Sequence, residues 1–394
     1  MHAEQAAELA DALAHELNAE LAARDAHGLR RTRRTLQSPQ RARVRVDGRD
    51  YIAFSSNDYL GLAADPRLAA AAKSGIDLYG VGAGASHLVL GHSTAHHELE
   101  LALADFVGLS RALLFSTGYM ANMGVVSALA GRGDAVFADR LNHASLNDAA
   151  LVSRVAFKRY AHGDLDMLER LLQATPARRR LVITDAVFSM DGDIAPVPAL
   201  LALCERYDAY LLIDDAHGFG VLGAQGRGTL QHFGIESGRV IYMATLGKAA
   251  GVAGAFVAGS AVLIESLIQN ARPYIYTTAT PPLLAHALLT SLQLIEQEDG
   301  RRRRLRELIL QLRQGLAGHA LRLLPSETPI QPLLVGGNEQ ALALSAALAA
   351  QGLLVPAIRP PTVPQGTARL RISLSADHDA GDVTRLITAL SNSA

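Results

Sequence analysis

Lys248 stands in Ala244-Thr245-Leu246-Gly247-Lys248-Ala249-Ala250-Gly251, directly after the apolar run Val240 to Met243. An ammonium among small apolar neighbours loses hydration, which lowers its pKa and frees the amine to act as a nucleophile or to form a Schiff base. The plainer alternative is a lysine whose stem lies along apolar surface while its head reaches water. A nucleotide-binding P-loop is excluded. That motif needs a glycine five places before Gly247 and Ser or Thr after the lysine, and Tyr242 and Ala249 occupy those places.

The surrounding chain reads as strands and helices in alternation. Ala112 to Phe115, Ala135 to Ala138, Leu181 to Thr184 and Ala209 to Ile213 have the short apolar runs of buried strands, and Ala121 to Leu129, Leu165 to Leu172 and Val197 to Tyr207 read as helices. This pattern predicts an α/β fold with a mainly parallel sheet covered on both faces. Ligands collect at the carboxyl ends of such strands. Polar groups follow each run there: Ser116-Thr117-Gly118-Tyr119, Asp139-Arg140-Leu141-Asn142-His143, Asp185 with Ser189, Asp214-Asp215-Ala216-His217, and Thr245 to Lys248.

Together these groups suit pyridoxal phosphate. Backbone amides of Gly118 and Tyr119 at a helix start, with the hydroxyls of Ser189 and Thr245, can receive a phosphate. Asp214 can hold a proton on a pyridine nitrogen, which keeps the ring an electron sink. His217 lies within reach of the ring's phenolic oxygen, and His143 can stack on the ring and move protons. Taken singly, each has a structural reading as a strand-end cap, a turn histidine or a loop residue. The joint order Gly-Tyr, His, Asp-x-x-His, Lys favours the cofactor.

The remaining sequence narrows the class. The chain has 394 residues, is 49% hydrophobic and 19% charged, and carries a formal charge of -1. That size allows more than one domain, and that charge gives no reason to expect a nucleic acid. Cys204, the only cysteine, excludes an internal disulfide and fits a helical core thiol. No apolar run spans a membrane, and the acidic N-terminal segment suits neither a secretory signal nor a transit peptide, so a cytoplasmic protein is expected. Leu9, Leu13, Leu17 and Leu21 predict an amphipathic helix. Arg30, Arg31, Arg33, Arg34, Arg41, Arg43 and Arg45 follow it, as a solvated face or as an anion contact. Gly80-Val81-Gly82-Ala83-Gly84-Ala85 fits a dinucleotide pattern only formally, because Ile76 to Tyr79 alone before it could be extended; a mobile loop is expected. His92, His96, His97 and Glu98 lack the spacing of a metal motif, and no metal is expected. Arg301 to Arg304 and Arg306 read as a solvated helix face. Ile330 to Val335, Leu353 to Ile358 and Leu370 to Leu374 read as strands of a smaller α/β unit.

The order Asp214-Asp215-Ala216-His217-Gly218 and Thr245-Leu246-Gly247-Lys248 resembles the signature of the pyridoxal-phosphate-dependent α-oxoamine synthases of the fold-type I aminotransferase superfamily. Similarity runs from about Arg30 to the C-terminus, through Phe54 to Leu62, Asp139 to Leu146, Phe188 to Asp193 and Ile358 to Arg371. Ala249-Ala250 departs from the glycine and aromatic residue of many relatives. The resemblance implies a Schiff base at Lys248 and decarboxylative condensation of an amino acid with an acyl thioester, most closely L-alanine with pimeloyl-CoA or its carrier-protein thioester. It also implies His143 as a ring-stacking acid-base residue, Arg30 and Thr362 as acyl contacts, Arg359 or Arg371 as a carboxylate partner, and Asn57 as a further contact. It implies an N-terminal arm (1–50), a cofactor domain (51–285) and a small C-terminal domain (286–394). A homodimer is implied too, in which Thr277 and Thr278 face the neighbour's phosphate. The alternatives are a sister synthase using another amino acid, such as glycine with a short acyl group, and a noncatalytic regulator on the same fold.

Overall fold

The computed structural model describes residues 2–318 and 322–392. Its largest sheet, among the described residues, has seven strands in the order Arg111–Phe115, Ala255–Gly259, Val240–Thr245, Ala209–Asp214, Arg180–Asp185, Ala135–Asp139 and Ala156–Tyr160. All neighbours run parallel except Ala255–Gly259, which is antiparallel to both strands beside it. The apolar runs are continuous because both faces are buried. Tyr242, Ala244, Leu211 and Ile213 pack into one core, whereas Ile241, Met243 and Leu212 pack into another on the opposite face. The central strands therefore end at one edge, which carries Asp139, Asp185, Asp214 and Thr245. This is the α/β architecture with a mainly parallel sheet that the strand–helix alternation predicts, and it agrees with the fold that the resemblance implies.

Two smaller sheets flank this one. Arg322–Leu323, Ile330–Gly336, Ala368–Ser373 and Ala357–Ile358 form an antiparallel sheet in that order. Arg43–Val46 and Arg49–Ala53 form a hairpin, and Leu353–Leu354 joins it parallel to Arg49–Ala53. The single strand expected over Leu353 to Ile358 is thus two short strands in different sheets. Pro356 lies at the break, where it offers no N–H to a ladder and its carbonyl accepts from the Arg371 N–H at 3.0 Å.

Three further expectations are corrected. Ile76 to Tyr79 is the last turn of the helix Pro66–Tyr79, capped by the Asp65 carboxylate and stopped by Gly80 at φ 75°. The N-terminal helix His2–Ala26 forms, yet Leu13, Leu17 and Leu21 are exposed, since no other part of this chain covers them; the Leu9 side chain lies outside the described residues. Arg302 is only 2% exposed and donates to the Ile295 carbonyl, while Arg301 bridges Asp65 at 2.9 Å and Glu298 at 2.6 Å. Arg301 and Arg302 therefore tie the helix Asp299–Gly315 to the core, whereas Arg303, Arg304 and Arg306 lie on its exposed face as expected. No described helix is long and apolar enough to cross a membrane.

Candidate active site

The carboxyl edge of the central sheet opens into a cavity of about 130 Å³ lined by Gly118, Tyr119, His143, Ser145, Asp185, Ser189, Asp214, Ala216, His217, Thr245 and Lys248. Each residue that sequence reasoning assigned to the cofactor lies on that lining. Strand register places Asp185 directly beside Asp214, and the next strand ends in Thr245, three residues before Lys248.

Gly118 begins the helix Gly118–Leu129, whose first turn is fixed by Thr117 accepting the Met120 N–H at 3.1 Å. A Cβ at Gly118 would lie 2.6 Å from Thr245 Cγ2. Glycine therefore leaves room at the start of this helix, in a cavity that Thr245 and Ser189 also line, which suits an anion. The Tyr119 hydroxyl is turned to Asp148.

Asp214 is almost wholly buried, and both of its oxygens are oriented. Oδ1 accepts the Ala216 N–H at 3.1 Å, and Oδ2 accepts from the Asn122 amide at 2.8 Å. The Asn122 amide also reaches Ser145 Oγ at 2.9 Å, and Ser145 Oγ is 2.7 Å from His143 Nδ1. His143, exposed at the rim, is anchored by its own N–H donating to Asp185 at 2.8 Å. Neither Asn122 nor Ser145 was singled out from sequence. Their only signal is that a polar side chain interrupts an apolar helix face.

Electrostatics follow from burial. The Lys248 ammonium is pushed below its usual pKa chiefly by desolvation; Asp214 and Asp185 oppose this, and Arg371 adds to it. His217, buried, is held well below the usual imidazole range by desolvation, then by Lys248, Arg371 and His143, so it is neutral. The Tyr59 hydroxyl is 2.6 Å from His217 Nδ1 and also reaches Asn57 at 3.2 Å. Asp185 is raised well above the carboxylate range by burial and by the adjacent Asp214.

The substrate residues divide into two groups. Asn57 and Arg371 sit beside the cavity: Arg371 donates to the Ser189 carbonyl at 2.5 Å, to Asn57 Oδ1 at 3.2 Å and to Ser373 Oγ at 2.7 Å. Arg30, Arg359 and Thr362 instead line a separate cleft of about 580 Å³ that joins the N-terminal arm to the loop around Pro360. Arg30 pairs there with Asp25 at 2.6 Å. Thr278 forms a bridge with Ser86.

The chemistry of this donor set fits a phosphorylated pyridine aldehyde. It offers an amine, a buried carboxylate, a neutral imidazole and a glycine-floored helix start, and the buried Asn122 Oδ1 is left without a partner. The chain matches the aminotransferase class I and II family over residues 49–390. It is 66% identical to 8-amino-7-oxononanoate synthase of Nitrosospira multiformis over 94% of this chain and 93% of that protein. It is 60% identical to the synthase of that name from Methylobacillus flagellatus, over 98% and 97%. Similar solved structures include serine palmitoyltransferase from S. paucimobilis with a bound PLP–myriocin aldimine (TM-score 0.90, 31% identity, 96% of each chain). Another is 8-amino-7-oxononanoate synthase from Francisella tularensis (TM-score 0.76, 32% identity, 87% of this chain and 97% of that one).

Proposed function

The chain belongs to the aminotransferase class I and II family, and from that premise we propose that it makes 8-amino-7-oxononanoate, a precursor of biotin, from L-alanine and a pimeloyl thioester. The thioester is carried on coenzyme A or a carrier protein, and carbon dioxide and the free thiol are released. Its cofactor is pyridoxal phosphate, and its substrates are an amino acid and an acyl thioester. The observation that carries this reading is the convergence of Lys248, Asp214, His217 and His143 on one cavity.

When bound, pyridoxal phosphate supplies a sink for the electron pair left at the substrate α-carbon. Lys248 would hold the cofactor's aldehyde, and its amine, pushed toward the neutral form by burial, would take the α-proton of alanine. Asp214 would keep a proton on the pyridine nitrogen. His217, neutral and backed by the Tyr59 hydroxyl, would bond the phenolic oxygen. Gly118, Tyr119, Ser189 and Thr245 would receive the phosphate. His143 would lie against the ring and handle protons during acylation. Arg371, steered by Asn57, meets the carboxylate of alanine, whereas Arg30, Arg359 and Thr362 receive the acyl thioester. A homodimer belongs to the same reading, with Thr277 and Thr278 offered to the neighbour's phosphate.

The second reading, a synthase for a different amino acid and acyl group, draws on the likeness to serine palmitoyltransferase. The identity of 66% and 60% to the synthases of Nitrosospira multiformis and Methylobacillus flagellatus, against 31% to that transferase, favours the first. Thiol release measured with alanine or glycine against pimeloyl or acetyl thioesters decides between them. Turnover confined to alanine and pimeloyl thioester is expected, and faster turnover with glycine and the acetyl thioester would transfer the assignment to the sister synthase. Lys248→Ala should lose the chromophore that borohydride otherwise fixes to the chain; its survival would refute the site.

A further inference from the structure

Away from the cavity, His87, His92 and His96 each bring one ring nitrogen within 4.8 Å of the others. His92 and His96 are close in sequence, but His87 comes from the glycine-rich loop and is held by the short π-helix His87–Gly91. The spacing of His92, His96, His97 and Glu98 gave no metal motif because the third ring arrives from outside that run.

The tautomer of His96 is set as a metal requires. Metal-bound histidines turn their other ring N–H to a carboxylate or a backbone carbonyl, which orients the ring and raises its basicity. His96 Nε2 donates to the Thr280 carbonyl at 2.8 Å, which leaves the lone pair on Nδ1, where it accepts only the Ser93 N–H at 3.1 Å and contacts Ser93 Oγ. His92 presents Nε2 to Glu100 Oε2 at 4.0 Å, and its Nδ1 lies 3.0 Å from Nδ1 of His87. The His87 ring is stacked on Tyr274 at 5.0 Å with an 11° tilt. Two imidazole nitrogens 3.0 Å apart are close to the spacing of neighbouring ligands around an ion with metal–nitrogen bonds of about 2.0–2.1 Å. Burial lowers the pKa of each of the three rings, which favours the neutral form that ligates. A neighbouring cavity of about 250 Å³, lined by His87, His92, His97, Glu100, Arg111 and Tyr274 among others, gives an ion and its water a route in.

We propose that His87, His92 and His96 form a binding site for a divalent transition-metal ion such as zinc, with a fourth position left to water. The ion replaces the His87–His92 hydrogen bond and the Ser93 contact to His96. It ties the loop around His87 to the helix Thr94–Val107 and, through Thr280, to the segment that precedes the helix Pro282–Gln297. Three imidazoles suit zinc or nickel better than magnesium or calcium.

The test is equilibrium dialysis of the cofactor-saturated full chain against zinc, with cobalt as a coloured substitute. One equivalent per chain is expected, with the intense visible bands of tetrahedral cobalt. His87→Gln and His92→Gln should each weaken binding by more than the ~10–100-fold that follows loss of a group behind a ligand. His232→Gln, which alters an exposed imidazole on the helix Thr229–Phe233, outside the trio and its cavity, should leave it unchanged. Zinc binding that is absent, or equal in the wild type and in the His87 and His92 variants, overturns the site. His96→Gln also removes a buried helix-capping contact and can unfold the chain, so the decision rests on the other two variants, each checked for an unchanged cofactor spectrum.

Discussion

The Asn122 side-chain amide lies between Asp214, at 2.8 Å, and Ser145, at 2.9 Å, and Ser145 passes the contact on to His143. The carboxylate assigned to the ring nitrogen and the imidazole assigned to the ring face are thus positioned by one side chain. Replacing Asn122 by alanine leaves a buried carboxylate oxygen short of its donor, at a cost of about 1–3 kcal/mol. Cofactor affinity, followed by titrating the visible absorbance, should fall roughly tenfold to a hundredfold. An unchanged dissociation constant would remove Asn122 from the site.

Gly118→Ala should weaken the cofactor through its phosphate. The new methyl would meet Thr245 Cγ2 at 2.6 Å, and overpacking of this kind costs about 1–3 kcal/mol. Adding Thr245→Ser deletes that methyl and keeps the hydroxyl, so the double variant should recover part of the lost affinity. If it binds no better than Gly118→Ala alone, the clash is not the cause.

The two groups of arginines should separate kinetically. Arg371→Lys removes a fork held by Ser189, Asn57 and Ser373 and should raise the KM for alanine at least tenfold, since a buried, hydrogen-bonded charge contact is worth about 2–5 kcal/mol. Arg359→Ala, on the outer cleft, should raise the KM for the acyl thioester and leave the spectral response to alanine alone as in the wild type. The reverse pattern would exchange their roles.

Alkaline stability should depend on His162. Its ring lies between Asp139, at 3.1 Å, and Asp193, at 3.0 Å, and hydrogen bonding to Asp139 and then Asp193 pushes its pKa up to about 10. A basic group raised in the folded state stabilises fully below its ordinary value, near 6.5, and that contribution disappears as pH rises through about 10. The urea midpoint should therefore drop between about pH 7 and pH 10, and drop less in His162→Gln. Equal drops in the two proteins would show the pair to be inert.

How much was legible follows from where the information lies. The central strands could be read because both of their faces are buried, so that Ala209 to Ile213 or Val240 to Met243 is an unbroken apolar run that ends in a polar turn. The strand Ala156–Tyr160 could not: it is the sheet's edge, only Tyr160 is fully buried, and Lys158 and Arg159 break the pattern. Lys248, Asp214 and His217 announce themselves as ionisable side chains just after apolar runs. Asn122 does not, since its partner Asp214 is 92 positions away and only the closed fold brings them together. His87 escaped the same way, as one histidine in a loop whose two companions belong to a helix start. Arg302 was misread because the sequence shows four adjacent arginines and not which of them the helix turns inward.

Leu353 and Leu354 run parallel beside Ile52 and Ala53, and Arg371 steadies Asn57 from the far side of the chain. A strand made early in translation therefore waits for residues that leave the ribosome near the end. All seven strands of the sheet that bears Asp214 lie before residue 260, whereas the guanidinium that holds Asn57 belongs to residue 371. On the proposed function, the residues that would hold the cofactor are therefore made well before the arginine that would meet the amino acid.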